Sequence, residues 1–331
     1  MFERPREAAF RDIEDPSYGP DDVVVRSHEA GVCRTDLELF AGELDPRWVR
    51  FPCIPGHEWS GTIEAVGANV TELAPGDRVV CEGIIPCRRC VRCRAGETNL
   101  CENYEALGFT RPGGYAEYVV APRDLVHRLP DHVSFDAGVL IEPASVVLRA
   151  LERASPQAGE SVAVVGIGTI GALALTLARL YAPARLFAYG IRAEELALAR
   201  QLGADEALQP DAAAEQHDLV LETAGAVTAV ELALGLVREG GRVVLLGISG
   251  KGKKLTLDAD RIALRDLRLI GSVGYTSAVW ARMVDLVSRG VVPVEGIVTH
   301  RFPASDFEHA FELLETRRGA VTKVVLEHAL G

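Results

Sequence analysis

Ser161-Val162-Ala163-Val164-Val165-Gly166-Ile167-Gly168-Thr169-Ile170-Gly171 is the stretch that decides the fold. Its first five residues form a near-continuous apolar run, the pattern of a strand buried on both faces of a parallel sheet. Gly166, Gly168 and Gly171 follow with GxGxxG spacing, and Ala172 to Tyr181 continues with helical periodicity. Such spacing alone is a weak signal. Set between a strand and a helix it becomes a dinucleotide fingerprint, because the glycines let backbone amides and a helix N-terminus approach a pyrophosphate. Gly166, Gly168, Thr169, Ile170 and Gly171 are the cofactor-binding residues this predicts.

Downstream, Arg185 to Tyr189 reads as the second strand and ends at Gly190-Ile191-Arg192. A site that prefers NAD usually has Asp or Glu about 20 residues past the glycines, to bind the ribose hydroxyls. Gly190 removes that carboxylate and Arg192 adds a guanidinium, which suits a 2′-phosphate and predicts NADP. NAD is the alternative, with Arg192 a solvated loop charge. Strand-like runs at Asp218 to Glu222, Arg242 to Gly247 and Leu267 to Gly274 are separated by helical segments at Glu194 to Leu202, Val227 to Val237 and Val279 to Ser288. This is the βαβ rhythm of a doubly wound parallel sheet, expected over residues 148–289.

Upstream the character differs. Val23 to Val25, Thr62 to Gly67, Asp77 to Cys81 and Tyr115 to Val120 are short strand-like runs with Gly and Pro turns between them, so the first domain is mostly β. The tail, with Val298 to Phe302, a helix from Ser305 and a strand Lys323 to Leu326, returns to that domain. It therefore comprises residues 1–147 and 290–331.

Two ligand patterns lie in the first domain. Gly31-Val32-Cys33-Arg34-Thr35-Asp36, opening a short helix to Phe40, and Ile54-Pro55-Gly56-His57-Glu58-Trp59-Ser60-Gly61 bring a thiolate, an imidazole and a carboxylate from two short glycine-flanked segments. Zinc sites that perform chemistry use three protein ligands of this kind and keep a fourth position open. Cys87, Cys90, Cys93 and Cys101 have the spacing of a closed tetrahedral zinc that only holds a loop together; unrelated thiols or disulfides are the alternative. Cys53 and Cys81 read as small buried apolar residues. His28, His127, His132, His217, His300, His309 and His328 lack ligand spacing. Trp48 and Trp59 suit a pocket wall or a packed core equally.

Composition narrows the partners. In 331 residues, 48% apolar and 25% charged, 35 Lys and Arg face 47 Asp and Glu, for a formal charge of −12. That disfavours nucleic acid and anionic membrane as partners, even though Arg88, Arg89, Arg92 and Arg94 between the clustered cysteines would suit a nucleic-acid-binding ribbon. No run of about 18 apolar residues is present and Met1 to Arg11 is charged, so a cytoplasmic protein is the expectation.

With Gly56-His57-Glu58, Gly76-Asp77-Arg78-Val79, the four-cysteine lobe and the GxGxxG in that order, nearly the whole chain resembles the zinc-dependent medium-chain dehydrogenase/reductases. The stretch Ile141-Glu142-Pro143-Ala144-Ser145-Val146-Val147 is similar to the polyol, threonine and glucose dehydrogenases among them. The resemblance implies an α/β protein, with a GroES-like, mostly-β catalytic domain and a Rossmann domain. It implies Cys33 and His57 as catalytic zinc ligands, with Glu58 and Glu142 competing for or alternating at the remaining place, and Cys87, Cys90, Cys93 and Cys101 holding a structural zinc. Thr35 matches the hydroxyl that bonds the substrate oxygen, and Asp36 the group that orients the histidine. Glu38 stands where a histidine commonly ends the proton relay, and glucose dehydrogenases can have Glu there. Gly190-Ile191-Arg192 resembles the Gly-x-Arg of NADP-dependent bacterial alcohol dehydrogenases, and Lys323 the cation often placed near the cofactor pyrophosphate, with a surface charge as the alternative.

The reaction implied is reversible hydride transfer between NAD(P) and a secondary alcohol, in a cleft between the domains, on a sugar, polyol or cyclitol. A threonine-type or simple secondary alcohol, or a non-catalytic NADPH-binding role, are the alternatives. The loops Ala41 to Arg50 and Leu107 to Gly114 would build the substrate pocket, and the related enzymes imply a homodimer or homotetramer.

Overall fold

The computed structural model describes residues 1–212, 215–316 and 319–328. It forms two compact units, Met1–Glu142 with Tyr275–Gly331, and Pro143–Gly274.

The strands and helices used below are, in chain order, β1 (Asp22–Val32), α1 (Arg34–Ala41), β2 (Trp59–Val66), β3 (Arg78–Cys81), β4 (Tyr118–Pro122), β5 (Val126–Arg128) and α2 (Phe135–Ala154). The second unit follows with β6 (Ser161–Val165), α3 (Thr169–Ala178), β7 (Arg185–Tyr189), α4 (Ala193–Gln201), β8 (Glu206–Leu208), β9 (His217–Glu222), α5 (Val227–Leu236), β10 (Val237–Leu245) and β11 (Arg268–Gly271). The chain ends with α6 (Ser277–Ser288), β12 (Val298–Pro303), α7 (Phe307–Thr316) and β13 (Lys323–Glu327).

The first unit is built on a seven-stranded sheet in the order β12-β13-β1-β2-β3-β5, with β4 also pairing β1. Its long central strand β1 buries Val23, Val25 and Ala30 against Ile63, Val79, Val119 and Ala121. The C-terminal strand β13 pairs antiparallel with β1, Val324 opposite Val32 and Leu326 opposite Ala30, so the tail closes the sheet beside Cys33. The strand expected over Tyr115 to Val120 starts late. Tyr115 N–H donates to Pro55 O at 3.0 Å and Ala116 N–H to Gly113 O at 3.1 Å, so this part is a turn, and β4 runs from Tyr118 to Pro122.

The second unit is one parallel sheet in the order β8-β7-β6-β9-β10-β11. The strand order reverses between β6 and β9, the topological switch point at which doubly wound sheets bind nucleotides. β10 begins at Val237, five residues earlier than the run from Arg242, because its register with β9 shifts between the His217–Val237 and Leu219–Arg242 pairs. α6 also begins early, since Thr276 Oγ1 accepts the Val279 N–H at 3.3 Å and caps it. The sequence pattern groups α6 with the nucleotide-binding half; here it belongs to the first unit, where Ser277 Oγ donates to Glu82 Oε2 at 2.6 Å.

Candidate metal centre and dinucleotide site

Cys33 follows β1 and is the N-cap of α1. Its extended backbone lets Sγ accept the Thr35 N–H at 3.3 Å, while Asp36 Oδ2 accepts the Cys33 N–H at 2.9 Å. This is a capping box in which a thiol and an aspartate take the usual Ser/Thr and Glu places. The interaction that starts the helix therefore fixes the sulfur.

His57 brings Nε2 to 3.3 Å from Cys33 Sγ and Nδ1 to 3.6 Å from Asp36 Oδ1, with the Phe109 ring at 4.9 Å. His57 Nδ1 and Asp36 Oδ1 are both buried without a hydrogen bond and face each other. A small approach joins them and leaves the Nε2 lone pair directed at the sulfur, the arrangement in which a carboxylate orients a metal-binding imidazole. Burial opposes ionisation of Asp36, but His57 and the Cys33 N–H hold its carboxyl below the usual range.

Glu58 is buried, and Lys323 Nζ, buried too, donates to its Oε2. Gly31 makes room for that carboxylate: a Cβ there would lie 2.2 Å from Glu58 Oε2. One ligand atom each from Cys33, His57 and Glu58 lie within 4.8 Å of one another. Sulfur, nitrogen and oxygen donors converging beside an orphaned imidazole nitrogen fit a divalent zinc. Glu142 is not in that group, yet His57, Glu58, Lys323 and Asp36 all act on it, and burial pushes its carboxyl up to about 7. Thr35 is half-buried in the first turn of α1. One turn further on, Glu38 accepts from Arg34 Nε at 3.3 Å. The Lys323–Glu58 pair is a contact that the sequence pattern does not announce, since the residues are 265 apart in the chain.

Cys87, Cys90, Cys93 and Cys101 form a second group with all four sulfurs within 4.8 Å. Backbone N–H groups of Cys87 and Asn103 point at Cys101 Sγ, at 3.2 and 3.4 Å, and that of Cys93 at Cys90 Sγ, at 3.4 Å. Such N–H···S contacts favour thiolates, and those from Arg89 and Cys90 bring the Cys87 thiol down to about 6. The donor set fits a closed zinc site. Cys53 and Cys81 are buried, Trp59 is a core residue, and the Trp48 ring packs on Tyr104 with centroids 4.8 Å apart and planes tilted by 47°.

In the second unit the glycine-rich segment joins β6 to α3. Gly166 has φ +95° and packs on Ala224, Gly168 is the N-cap of α3, and a Cβ at Gly171 would lie 1.9 Å from Gly166 O. Thr169 and Ile170 form the first turn of α3, directly after the N-cap Gly168. Past β7, Arg192 donates to Glu195 Oε1 through Nε at 3.1 Å and NH2 at 2.7 Å. Glu195, on the first turn of α4, also accepts the Ile191 N–H at 3.3 Å and lies beside Gly190. Glu195 lies outside the Gly-x-Arg pattern; a carboxylate in the first turn of a helix, where the helix amides and dipole favour acid, is the feature that marks it.

A mostly-β unit with a Cys–His–Glu cluster and a four-cysteine lobe, in one chain with a doubly wound nucleotide-binding unit, defines a metal-dependent nicotinamide oxidoreductase. The alcohol dehydrogenase GroES-like domain matches residues 19–131 and the zinc-binding dehydrogenase domain residues 169–289. L-threonine 3-dehydrogenase of Anaeromyxobacter dehalogenans is 34% identical over 330 residues, covering 96% of this chain and 94% of that protein. L-idonate 5-dehydrogenase of Vitis vinifera is 33% identical, covering 94% and 89%. A zinc-binding dehydrogenase of Sinorhizobium meliloti solved with NADP superposes with a TM-score of 0.93 at 31% identity, covering 98% and 97%. The chain belongs to the zinc-dependent medium-chain dehydrogenase/reductase family. It is an NAD(P)-dependent zinc alcohol dehydrogenase in the broad sense, moving hydride between a nicotinamide and a secondary alcohol or its ketone. Among the described residues no helix is long and apolar enough to cross a membrane.

Proposed function

We propose that this enzyme acts on a secondary hydroxyl of a sugar, polyol or cyclitol with NADP as cofactor. The observation that carries the reading is the convergence of Cys33, His57 and Glu58, with the carboxylate of Glu142 in the same electrostatic neighbourhood. Cys33 and His57 hold the catalytic zinc, and Glu58 or Glu142 takes the next place; the four lobe cysteines hold the structural zinc. When bound, zinc supplies Lewis acidity towards the substrate oxygen, and the nicotinamide accepts hydride. Asp36 keeps the His57 ring oriented. Thr35 accepts the hydrogen bond of the substrate hydroxyl and gives its own proton outward as it takes up the substrate's. Glu38 is the outer carboxylate that accepts that proton or else bonds a substrate hydroxyl. Gly166, Gly168, Thr169, Ile170 and Gly171 admit the cofactor pyrophosphate, and Gly190 with Arg192 the 2′-phosphate. Lys323, which pairs with Glu58, acts on the zinc ligands.

The NADP of the Sinorhizobium meliloti structure and the idonate of the Vitis vinifera enzyme support this choice of cofactor and substrate. An amino-alcohol reading has the support of the threonine dehydrogenase. β11 is an edge strand with the exposed side chains of Leu264 and Val273 before and after it in the chain, which supports a homo-oligomer joined through that edge. An initial-rate screen with NADP and NAD against glucose, inositols, aminocyclitols, sorbitol, threonine and 2,3-butanediol, before and after chelation, tests the function. Chelator-sensitive turnover of a polyhydroxy substrate, faster with NADP, is expected. Turnover that survives complete removal of zinc refutes the mechanism, and threonine as the preferred substrate refutes the polyol assignment.

A further inference from the structure

We infer that Glu195 is a specificity-determining residue for the cofactor: its carboxylate stands in for the acid missing at Gly190, accepts a ribose hydroxyl of NAD, and opposes the 2′-phosphate that Arg192 attracts. The inference rests on the NADP reading above. It adds that the same site admits NAD, so that the preference between the two is limited.

Gly190 follows β7 without a side chain, and the space that a Cβ would enter shows what has taken its place. That Cβ would lie 3.3 Å from Glu195 Oε2 and 3.4 Å from Ile167 Cγ1, in the glycine-rich segment. The Glu195 carboxylate therefore reaches back from the first turn of α4 towards the gap between the end of β7 and the glycine-rich segment. In a doubly wound sheet this gap is where the adenosine ribose lies. Glu195 is 9% exposed and held from two directions. Its Oε1 accepts from Arg192 Nε at 3.1 Å and Nη2 at 2.7 Å, and its Oε2 accepts the Ile191 N–H at 3.3 Å. These bonds use three of about four acceptor positions on a carboxylate, and the fourth is on Oε2, the oxygen beside Gly190.

Such a carboxylate treats the two cofactors oppositely. A 2′-hydroxyl has a proton to donate, and an acid at this place is the acceptor that NAD sites supply. A 2′-phosphate brings about two negative charges instead. Arg192 attracts them, but its one positive charge is already matched by Glu195 at 2.7 Å, so the guanidinium has to be shared between carboxylate and phosphate. Selectivity is the difference between the two affinities, and Glu195 narrows it from both sides. Arg192 without a carboxylate beside it would commit the site to NADP.

Fluorescence titration of the zinc-loaded enzyme with NADPH and with NADH, without an alcohol, is the test. Wild type should bind both, NADPH more tightly by no more than about 100-fold, the upper worth of one charge-assisted contact. Glu195→Gln keeps the size of the side chain and one acceptor oxygen but removes the charge. It should bind NADPH about tenfold more tightly and NADH about tenfold more weakly, while kcat at saturating cofactor stays within about twofold for each. Equal weakening of both cofactors would mean that Glu195 only steadies the start of α4, and would overturn the inference, as would unchanged affinities. If Glu195→Gln does not fold, a wild-type preference for NADPH above about 100-fold overturns it by itself. Arg192→Gln separates this inference from the reading beneath it. Equal losses of NADPH and NADH in that variant bring down the 2′-phosphate reading and the inference together. Loss of NADPH alone there, with an unchanged ratio in Glu195→Gln, sinks the inference and leaves the reading standing.

Discussion

Replacing Lys323 by Met probes the buried charge pair at the metal cluster. Lys323 is 1% exposed and Glu58 3%, so the substitution removes a cation with little change of volume and leaves a carboxylate buried without its partner. Breaking such a pair from one side costs about 3–5 kcal/mol, because the remaining charge stays desolvated. A unit of this size loses roughly 2–4 °C of Tm per kcal/mol, so zinc-free Lys323→Met should melt roughly 6–20 °C below zinc-free wild type. In the zinc-loaded protein Glu58 has a second cation within its cluster, and the loss should shrink. Differential scanning calorimetry of both proteins, with and without exhaustive chelation, measures the effect. A zinc-free variant within about 2 °C of wild type would refute the reasoning, as would a loss that grows when zinc is bound.

Other outcomes follow from the second unit. Arg192→Gln should raise KM for NADP by about tenfold or more while KM for NAD stays within about threefold, since one charge-assisted contact to a 2′-phosphate is removed; equal changes with both cofactors would sink the assignment. His217 is buried between Ser161 Oγ at 2.9 Å and Tyr189 Oη at 3.0 Å, and burial brings its pKa down from 6.5 to about 4. It folds neutral, so its stabilising contribution is complete above pH 6.5 and is lost as pH falls towards 4, by about 3 kcal/mol in all. Tm of wild type should therefore drop more steeply than that of His217→Gln between those pH values, and parallel curves would show that His217 does not set the slope.

What could be read directly from the sequence was local. The run from Ser161 to Val165 and the glycines after it lie together in the chain, and they form β6 and the N-terminus of α3. The four cysteines between 87 and 101 are likewise close in sequence and converge. Cys33, His57 and Glu58 also meet, on two segments whose glycines the sequence shows, although the capping box that orients Cys33 emerges only with the backbone. Tyr115 alternates with its neighbours as a strand residue would, but its N–H is taken by Pro55 O across a loop, and tertiary bonding overrides the pattern. Lys323 could not be placed at the cluster from periodicity, because it reaches Glu58 only through the pairing of β13 with β1 far back in the chain.

That long-range pairing has a consequence for how the site is made. Glu58 precedes Lys323 by 265 residues, so on the ribosome the carboxylate exists for most of translation before its ammonium has been synthesised. Cys33, His57 and Glu58 are all made within the first 58 residues, whereas the strand that supplies Lys323 docks against β1 only after residue 323 has emerged. A nascent chain without metal must tolerate an uncompensated carboxylate in its core until then. Zinc supply during synthesis thus becomes a determinant of yield, and chains made under zinc starvation should be the ones that proteases remove first.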